Sequence, residues 1–310
     1  AVAAGDLDRV KKLVASKVDV NETGPQRITA MHLASEEGHP EILSALIDAG
    51  ANIDRPNAQG MRPLHLAANA EIARTLITNG ARVNFGMPSP LYMATMNGKA
   101  DVVRELLSND ANAKDSDCAT MLNWAAFAGQ LEVIEVLFEL RDAGELLKVP
   151  STYSPLHVAA SGSFGDMNSP QRVTPQQRLS VTRFLVEKGA DVNARWGSNL
   201  NPRSGAAHMI GATPLMFAAA KGDAEIVKFL LEQKADAQAT SSSGQTALHL
   251  AAQYGYRAVV ELLIEAKADV NALTREAKTP LDLTQDAKVK DLLIQKGGKT
   301  ASELLKDSQR

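Results

Sequence analysis

This chain lacks most of what marks a reactive protein. Its 310 residues contain one cysteine, Cys118. A single thiol cannot close an internal disulfide, so the fold does not depend on an oxidising compartment. Aromatic residues make up 4% of the chain, with two tryptophans among them. Its core must therefore be built from small and branched aliphatic side chains, which lets helices approach closely. The formal net charge is −3, which offers no broad cationic surface to nucleic acid or to an anionic membrane. No apolar stretch approaches the ~18 residues of a membrane-spanning helix, and no signal-peptide pattern is found. His-Glu-x-x-His, Gly-x-Ser-x-Gly and dinucleotide-binding fingerprints are missing too. The expectation is a non-enzymatic chain without metal, cofactor or membrane insertion.

What is present is repetition. Thr213-Pro-Leu-Met-Phe-Ala-Ala-Ala-Lys-Gly222 is followed 33 residues later by Thr246-Ala-Leu-His-Leu-Ala-Ala-Gln-Tyr-Gly255, and Thr279-Pro-Leu-Asp-Leu283 opens a third copy at the same spacing. Lys267-Ala-Asp-Val-Asn271 answers Lys234-Ala-Asp-Ala-Gln238. Other copies open at Thr29, Arg62, Ser89, Thr120 and Ser154. A fixed period of this length, opening with Thr-Pro-Leu-His-like text, resembles the ankyrin repeat. The resemblance covers residues 1 to about 305. It implies an all-α solenoid of about nine helix-turn-helix repeats, with β-hairpin or loop fingers and a concave groove. It also implies a protein or peptide partner, held in that groove by a monomeric scaffold. The Gly297-Gly-Lys-Thr-Ala-Ser-Glu-Leu304 tail is similar to the ends of many bacterial ankyrin proteins.

The residues explain why such text folds. A threonine hydroxyl caps free amides, and the proline after it presets the first helical angle. Ala-Ala pairs keep helices close, and the paired apolar residues of each second helix fill the space between repeats. Residues 1–28 read as a truncated N-terminal repeat in which Asp6 caps a helix over 7–16. Ala3-Ala4-Gly5-Asp6 matches the Ala-x-Gly-Asp text at 220–223, so the five residues that open a first helix are missing there. A leader or further domain before Ala1 is thus an open alternative. The cytoplasm is the first expectation for compartment and export the second. Residues 29–278 carry the body of the array, and 279–310 a capping repeat with a polar tail.

The spacing is uneven. The third repeat is 27 residues long, with three lost between its helices and three in its finger. The fifth has no Gly-Ala-Asp-Val-Asn ending, which predicts a longer or bent second helix over 131–150. The sixth runs 59 residues from Ser154 to Thr213. Its surplus falls at about 161–177, between the helices, and at about 194–210, in the finger. Both stretches are rich in Gly, Ser, Asn and Pro and read as loops.

Four of the six histidines, His32, His65, His157 and His249, share one motif slot. A metal site needs three or four ligands at one point, and stacking spreads these along the array. The resemblance gives them a hydrogen-bonding role instead. Gly298-Lys299-Thr300 ends like a phosphate-binding loop but lacks the glycine five residues earlier and a strand to feed it. Asn21-Glu-Thr23 matches a glycosylation triplet of a kind that arises often by chance. Cys118 stands where Gly60, Gly211 and Gly244 stand in other repeats, a turn position, and reads as an inert, exposed thiol.

By the resemblance, partner contacts fall four, three and one residues before the motif threonine and seven and eight after it. Near the N-terminus those slots hold Gln26, Ile28, Glu36 and Glu37. In the middle they hold Phe85, Met96, Asn97, Asp117, Phe127 and Tyr153. The next finger adds Met209 and Ile210, with Trp196 in its insertion. Further on come Lys221, Ser242, Gln245, Gln253 and Tyr254, then Arg275 and Lys278. The middle is apolar and aromatic, and the flanks are polar. A partner face of this kind would use Phe85, Met96, Phe127, Tyr153, Trp196, Met209, Ile210 and Tyr254. The alternative is that these side chains pack on the shortened fingers and the long insertion. Two other functions stay open: a targeting arm of a larger enzyme or sensor, and a small-molecule or sugar site at the sixth-repeat insertions with Trp196 as a stacking platform.

Overall fold

The computed structural model describes residues 1–86, 88–109, 115–148, 154–162, 173–197 and 209–309. The chain divides into two compact units, residues 1–125 with 132–142, and residues 126–131 with 143–310. Among the described residues there are helices and turns and no strand.

In the first unit a 3-10 turn, Val2–Ala4, precedes α1 (Leu7–Ala15). Asp6 caps α1 as expected, accepting from the Arg9 amide at 2.9 Å. Then follow α2 (Ala30–Glu37), α3 (Pro40–Asp48), a second-copy 3-10 turn at Pro63–Leu66, α4 (Ala70–Thr78), α5 (Pro90–Met96) and α6 (Ala100–Ser108). The helices α7 (Asp115–Phe127) and α8 (Leu131–Leu140) lie mostly in this unit. Second helices pack side by side in the row α1, α3, α4, α6, and α2, the 3-10 turn Pro63–Leu66 and α5 form the other row. Leu43, Leu64, Ile72, Leu76, Leu91, Val103 and Leu106 fill the space between them, each at most 2% exposed. Each such side chain contributes roughly 1.5–3 kcal/mol by leaving water.

The second unit repeats the plan. It contains α9 (Ala143–Lys148), α10 (Pro155–Ser161), α11 (Pro175–Glu187), α12 (Pro214–Lys221), α13 (Ala224–Glu232), α14 (Ala247–Gln253), α15 (Arg257–Glu265), α16 (Pro280–Leu283), α17 (Ala287–Gln295) and α18 (Ala301–Ser308). First helices stack as α10, α12, α14, α16 and second helices as α11, α13, α15, α17. One continuous core runs through them, from Ala160 and Trp196 to Leu293.

The deletions act on the first helix. In the third repeat it shrinks to the 3-10 turn Pro63–Leu66, and the freed Ala68 amide donates to the Ser35 carbonyl one repeat back at 2.9 Å. In the last repeat α16 keeps four residues. Between helices the chain passes through a left-handed residue. At Gly222 (φ +77°) a Cβ would lie 2.6 Å from the Tyr256 ring of the next repeat, so only glycine fits there.

Three expectations need correction. The longer or bent second helix expected after Leu131 is broken: α8 stops at Leu140 and α9 starts afresh at Ala143, after Asp142, a residue type favoured at helix starts. Cys118 is not an exposed turn residue. Neither glycine nor proline interrupts 115–127, so helix runs through the turn position and buries the thiol completely. The first insertion ends sooner than 177, because Thr174 caps α11 through a reciprocal pair with Gln177 and Pro175 opens the helix. That extra turn carries Arg178 into the core. Its guanidinium forms a two-pronged ion pair with Asp223, the residue before α13, with side chains 2% and 11% exposed. The stretches 163–172 and 198–208, the bulk of both insertions, lie outside the described residues.

Candidate functional site

The fingers are held by backbone, and the pattern repeats. In several, an amide bonds across the turn: Asn57 to Met61 at 2.8 Å, Ser241 to Gln245 at 2.8 Å, Thr274 to Lys278 at 2.9 Å. Between neighbours, tip donates to tip: Ala58 to the Gln26 carbonyl at 2.8 Å in the first unit, and Arg275 to Ser243 at 2.9 Å in the second. Behind the tips, one amide side chain per repeat bridges to the next. Asn271 donates to the Gly297 carbonyl at 3.1 Å and accepts from the Lys299 amide at 2.8 Å. Asn21 makes the same pair with Gly50 and Asn52, so the amide of the Asn21-Glu-Thr23 triplet is already engaged. These ladders fix the backbones of the fingers around 24–28, 57–61, 241–245 and 274–278.

The motif histidines join repeats. In His249 the Nδ1 atom accepts from the Thr246 amide at 3.2 Å, which leaves the proton on Nε2, and Nε2–H donates to the Lys278 carbonyl at 3.1 Å. His32 uses Thr29 and Met61 in the same way, and His65 uses Arg62 and Pro88. His157 donates to the Ala212 carbonyl at 3.0 Å. Burial pulls all four below the ordinary histidine pKa, and His157 down to about 4. They are neutral struts. Among the described residues no three His, Cys, Asp or Glu side chains gather into a metal-sized group. At Thr300, the amides that a phosphate would need are taken by Glu303 at 2.8 Å and, from Ala301, by Asp282 at 3.0 Å.

The contact-slot residues separate sharply. Phe85 is 43% exposed and Tyr254 is 46% exposed. Met96, Phe127 and Ile210 are half-buried. Tyr153 and the Asp117 side chain lie outside the described residues. Trp196 and Met209 are 1% and 3% exposed, so neither stands on a surface and Trp196 is no stacking platform. The reason is a neck. The Trp196 amide donates to the Ala212 carbonyl at 2.9 Å, and Gly211 donates back to Trp196 at 2.7 Å. Residues 196 and 211–212 are thus joined by paired backbone, and the indole lies edge-on to Phe217 with ring centres 5.5 Å apart. His157 meets the same ring at 5.5 Å.

Phe85 has company that the slot pattern does not indicate. The Arg62 guanidinium lies 3.8 Å over its ring and that of Arg82 at 5.6 Å. The one available signal was arginine in the slot where other motifs have threonine or serine.

Among the described residues no helix is long and apolar enough to cross a membrane. The family described as ankyrin repeats, in three copies, matches residues 1–87, 91–196 and 196–274. NF-kappa-B inhibitor zeta of Bos taurus is 30% identical over 216 residues, covering 65% of this chain and 28% of that protein. The Homo sapiens protein of the same name is 30% identical over 217 residues, with the same coverage. Ankyrin repeat and KH domain-containing protein mask-1 of Caenorhabditis elegans is 30% identical over 251 residues, covering 79% of this chain and 8% of that protein. The chain therefore spans under a third of the length of these relatives. Ankyrin repeats generally mediate protein–protein interaction. With its 33-residue period, its two rows of stacked helices and its strut histidines, this chain belongs to the ankyrin-repeat family.

Proposed function

We propose that the chain is a non-enzymatic binding module that holds a protein or peptide partner on its fingers and on the exposed ends of its first helices. One observation carries this reading. In a chain with 4% aromatics, two rings sit in contact slots more than two-fifths exposed, Phe85 in the first unit and Tyr254 in the second. Burial would stabilise the fold more than exposure does, so partner contact is the use that accounts for them. The finger ladders support the same reading, because a rigid surface loses little entropy on binding. Met96 in the first unit, and Phe127 and Ile210 in the second, are half-buried in their slots and add apolar area. The scaffold acts as a monomer, and partners arrive from other chains.

The test is a capture from source-cell lysate on the immobilised protein and on a Phe85→Ser/Tyr254→Ser variant with unchanged circular dichroism. A partner retained by the first and lost by the second supports the reading. Equal retention by both would sink it.

A further inference from the structure

We propose that the Phe85 finger of the first unit recognises an acidic segment of a partner protein, one with carboxylates beside an apolar side chain. This rests on the protein-binding reading and deepens it.

The argument is charge around an exposed ring. Arg62 and Arg82 share a single carboxylate, Asp54, at 3.4 and 3.5 Å. Arg55 follows Asp54 in the chain, donates to the Asn21 carbonyl at 2.9 Å and has no carboxylate in pairing range among the described residues. Two guanidinium groups therefore share one acid beside a ring that is 43% exposed. Arg82 itself is 65% exposed, while Arg62 is 10% exposed and braced by the Asp54 backbone carbonyl at 2.7 Å. The two arginines thus differ in role. Arg62 occupies one face of the ring, the face that carries negative π density. An aromatic ring's edge carries positive partial charge and favours oxygen anions or the faces of other rings. Arg82 reinforces that preference. The surface asks for a few carboxylates next to an apolar group. A polyanion such as nucleic acid fits less well, because exposed Glu36 and Glu37 on α2 interrupt any longer positive stripe and the whole chain is net negative. The other exposed ring, Tyr254, has Gln253 beside it and shows no such cation excess.

The experiment is a random-peptide display selection on the intact 310-residue protein, followed by affinity measurement of the enriched peptides. The expected outcome is enrichment of Asp or Glu adjoining Leu, Phe or Trp. Those peptides should bind about thirtyfold more weakly to Phe85→Ser and to Arg82→Glu, as for a binding hot spot. They should bind unchanged to Tyr254→Ser and weaken as salt rises from roughly 0.1 to 0.5 M. Neutral or basic winners, or acidic winners indifferent to Arg82→Glu, would overturn the proposal. If the winners instead depend on Tyr254, the protein-binding reading stands and this proposal falls. If no peptide is enriched, both fall. A single-stranded 20-mer DNA that displaces the acidic peptides at comparable affinity would also overturn it, since charge alone would then account for binding.

Discussion

Phe85 and Trp196 occupy comparable places in the repeat, each in a finger after the second helix, and their fates are opposite. Phe85 belongs to a shortened finger and keeps 43% of its surface in solvent under two arginines. Trp196 belongs to a lengthened finger and is 1% exposed, pinned by the backbone pair with Ala212 and by the edge of Phe217. Position along the repeat sets where a side chain begins. The backbone pairing and ring contacts around it decide whether it is buried. An insertion needs an anchor, and the large apolar residue at its root becomes that anchor. The insertion between the helices has an anchor too, a charged one: Arg178 at its far root is locked onto Asp223.

The largest effects should come from the anchors. Trp196→Ala removes a fully enclosed ring and should cost about 3–5 kcal/mol of unfolding free energy. Phe85→Ala should cost less than about 1 kcal/mol, because its ring is largely solvated and its arginine contacts are partly exposed. Urea unfolding of both variants checks the contrast, and equal losses would break it. Arg178→Ala should match the tryptophan change, at about 3–5 kcal/mol, because it strands a mostly buried Asp223. Arg104→Ala, which breaks an exposed pair with Glu139, should leave the urea midpoint nearly unchanged.

Acid should act on the same neck. The Ala212 carbonyl accepts from both Trp196 and His157. His157 has its pKa pulled down by burial to about 4, while in the unfolded chain it titrates near ~6.5. Between those values the unfolded state takes up a proton that the folded state refuses. Stability is therefore fully present above the unfolded value and is lost as pH falls from ~6.5 through about 4, by roughly 3 kcal/mol for this group. Urea midpoints at pH 7.5 and 4.5 measure the loss. His157→Gln should show a shallower loss than the parent, and His32, His65 and His249 add their own shares in the same direction.

Much of this was legible beforehand. The period, the helix starts at Thr-Pro and the cap at Asp6 follow from residue types at fixed spacing, because each repeat sees the same neighbours; the hydrogen-bonding role of the histidines came with the family resemblance. The misreadings cluster where that condition fails. Cys118 was placed by its slot, yet no glycine or proline in 115–127 stops a helix, and the slot ceased to be a turn. Trp196 was placed on the surface because its surroundings are Gly, Ser and Asn, and local composition says nothing of a backbone pair formed with residues 211–212. The start of α11 was available in Thr174-Pro-Gln-Gln177, a reciprocal cap that periodicity alone overlooks. The arginines around Phe85 come from different repeats and meet only when the fingers stack.

The smallest effect sharpens the same lesson to a single methyl group. Two fingers carry different residues two positions before the motif threonine. Gly244 (φ +79°) has the next finger against it, and a Cβ there would lie 2.9 Å from the Arg275 amide nitrogen and 3.2 Å from Thr274 backbone carbon. Ala277 adopts the same left-handed turn at φ +53° and is exposed. It bears a side chain because no further finger lies against it among the described residues. Gly244→Ala meets both the left-handed penalty of roughly 1–2 kcal/mol and a collision with backbone that cannot swing aside. It should destabilise by about 2 kcal/mol or more. Ala277→Gly relieves the first cost and loses part of that gain to the freer unfolded chain, so it should stabilise by at most about 1 kcal/mol. Opposite signs in urea midpoint, at equal slope, would show that the cover and not the turn dictates glycine. A Gly244→Ala cost no larger than the turn penalty alone would mean that the finger tips can part, and the rigid support inferred for the contact slots would go with it.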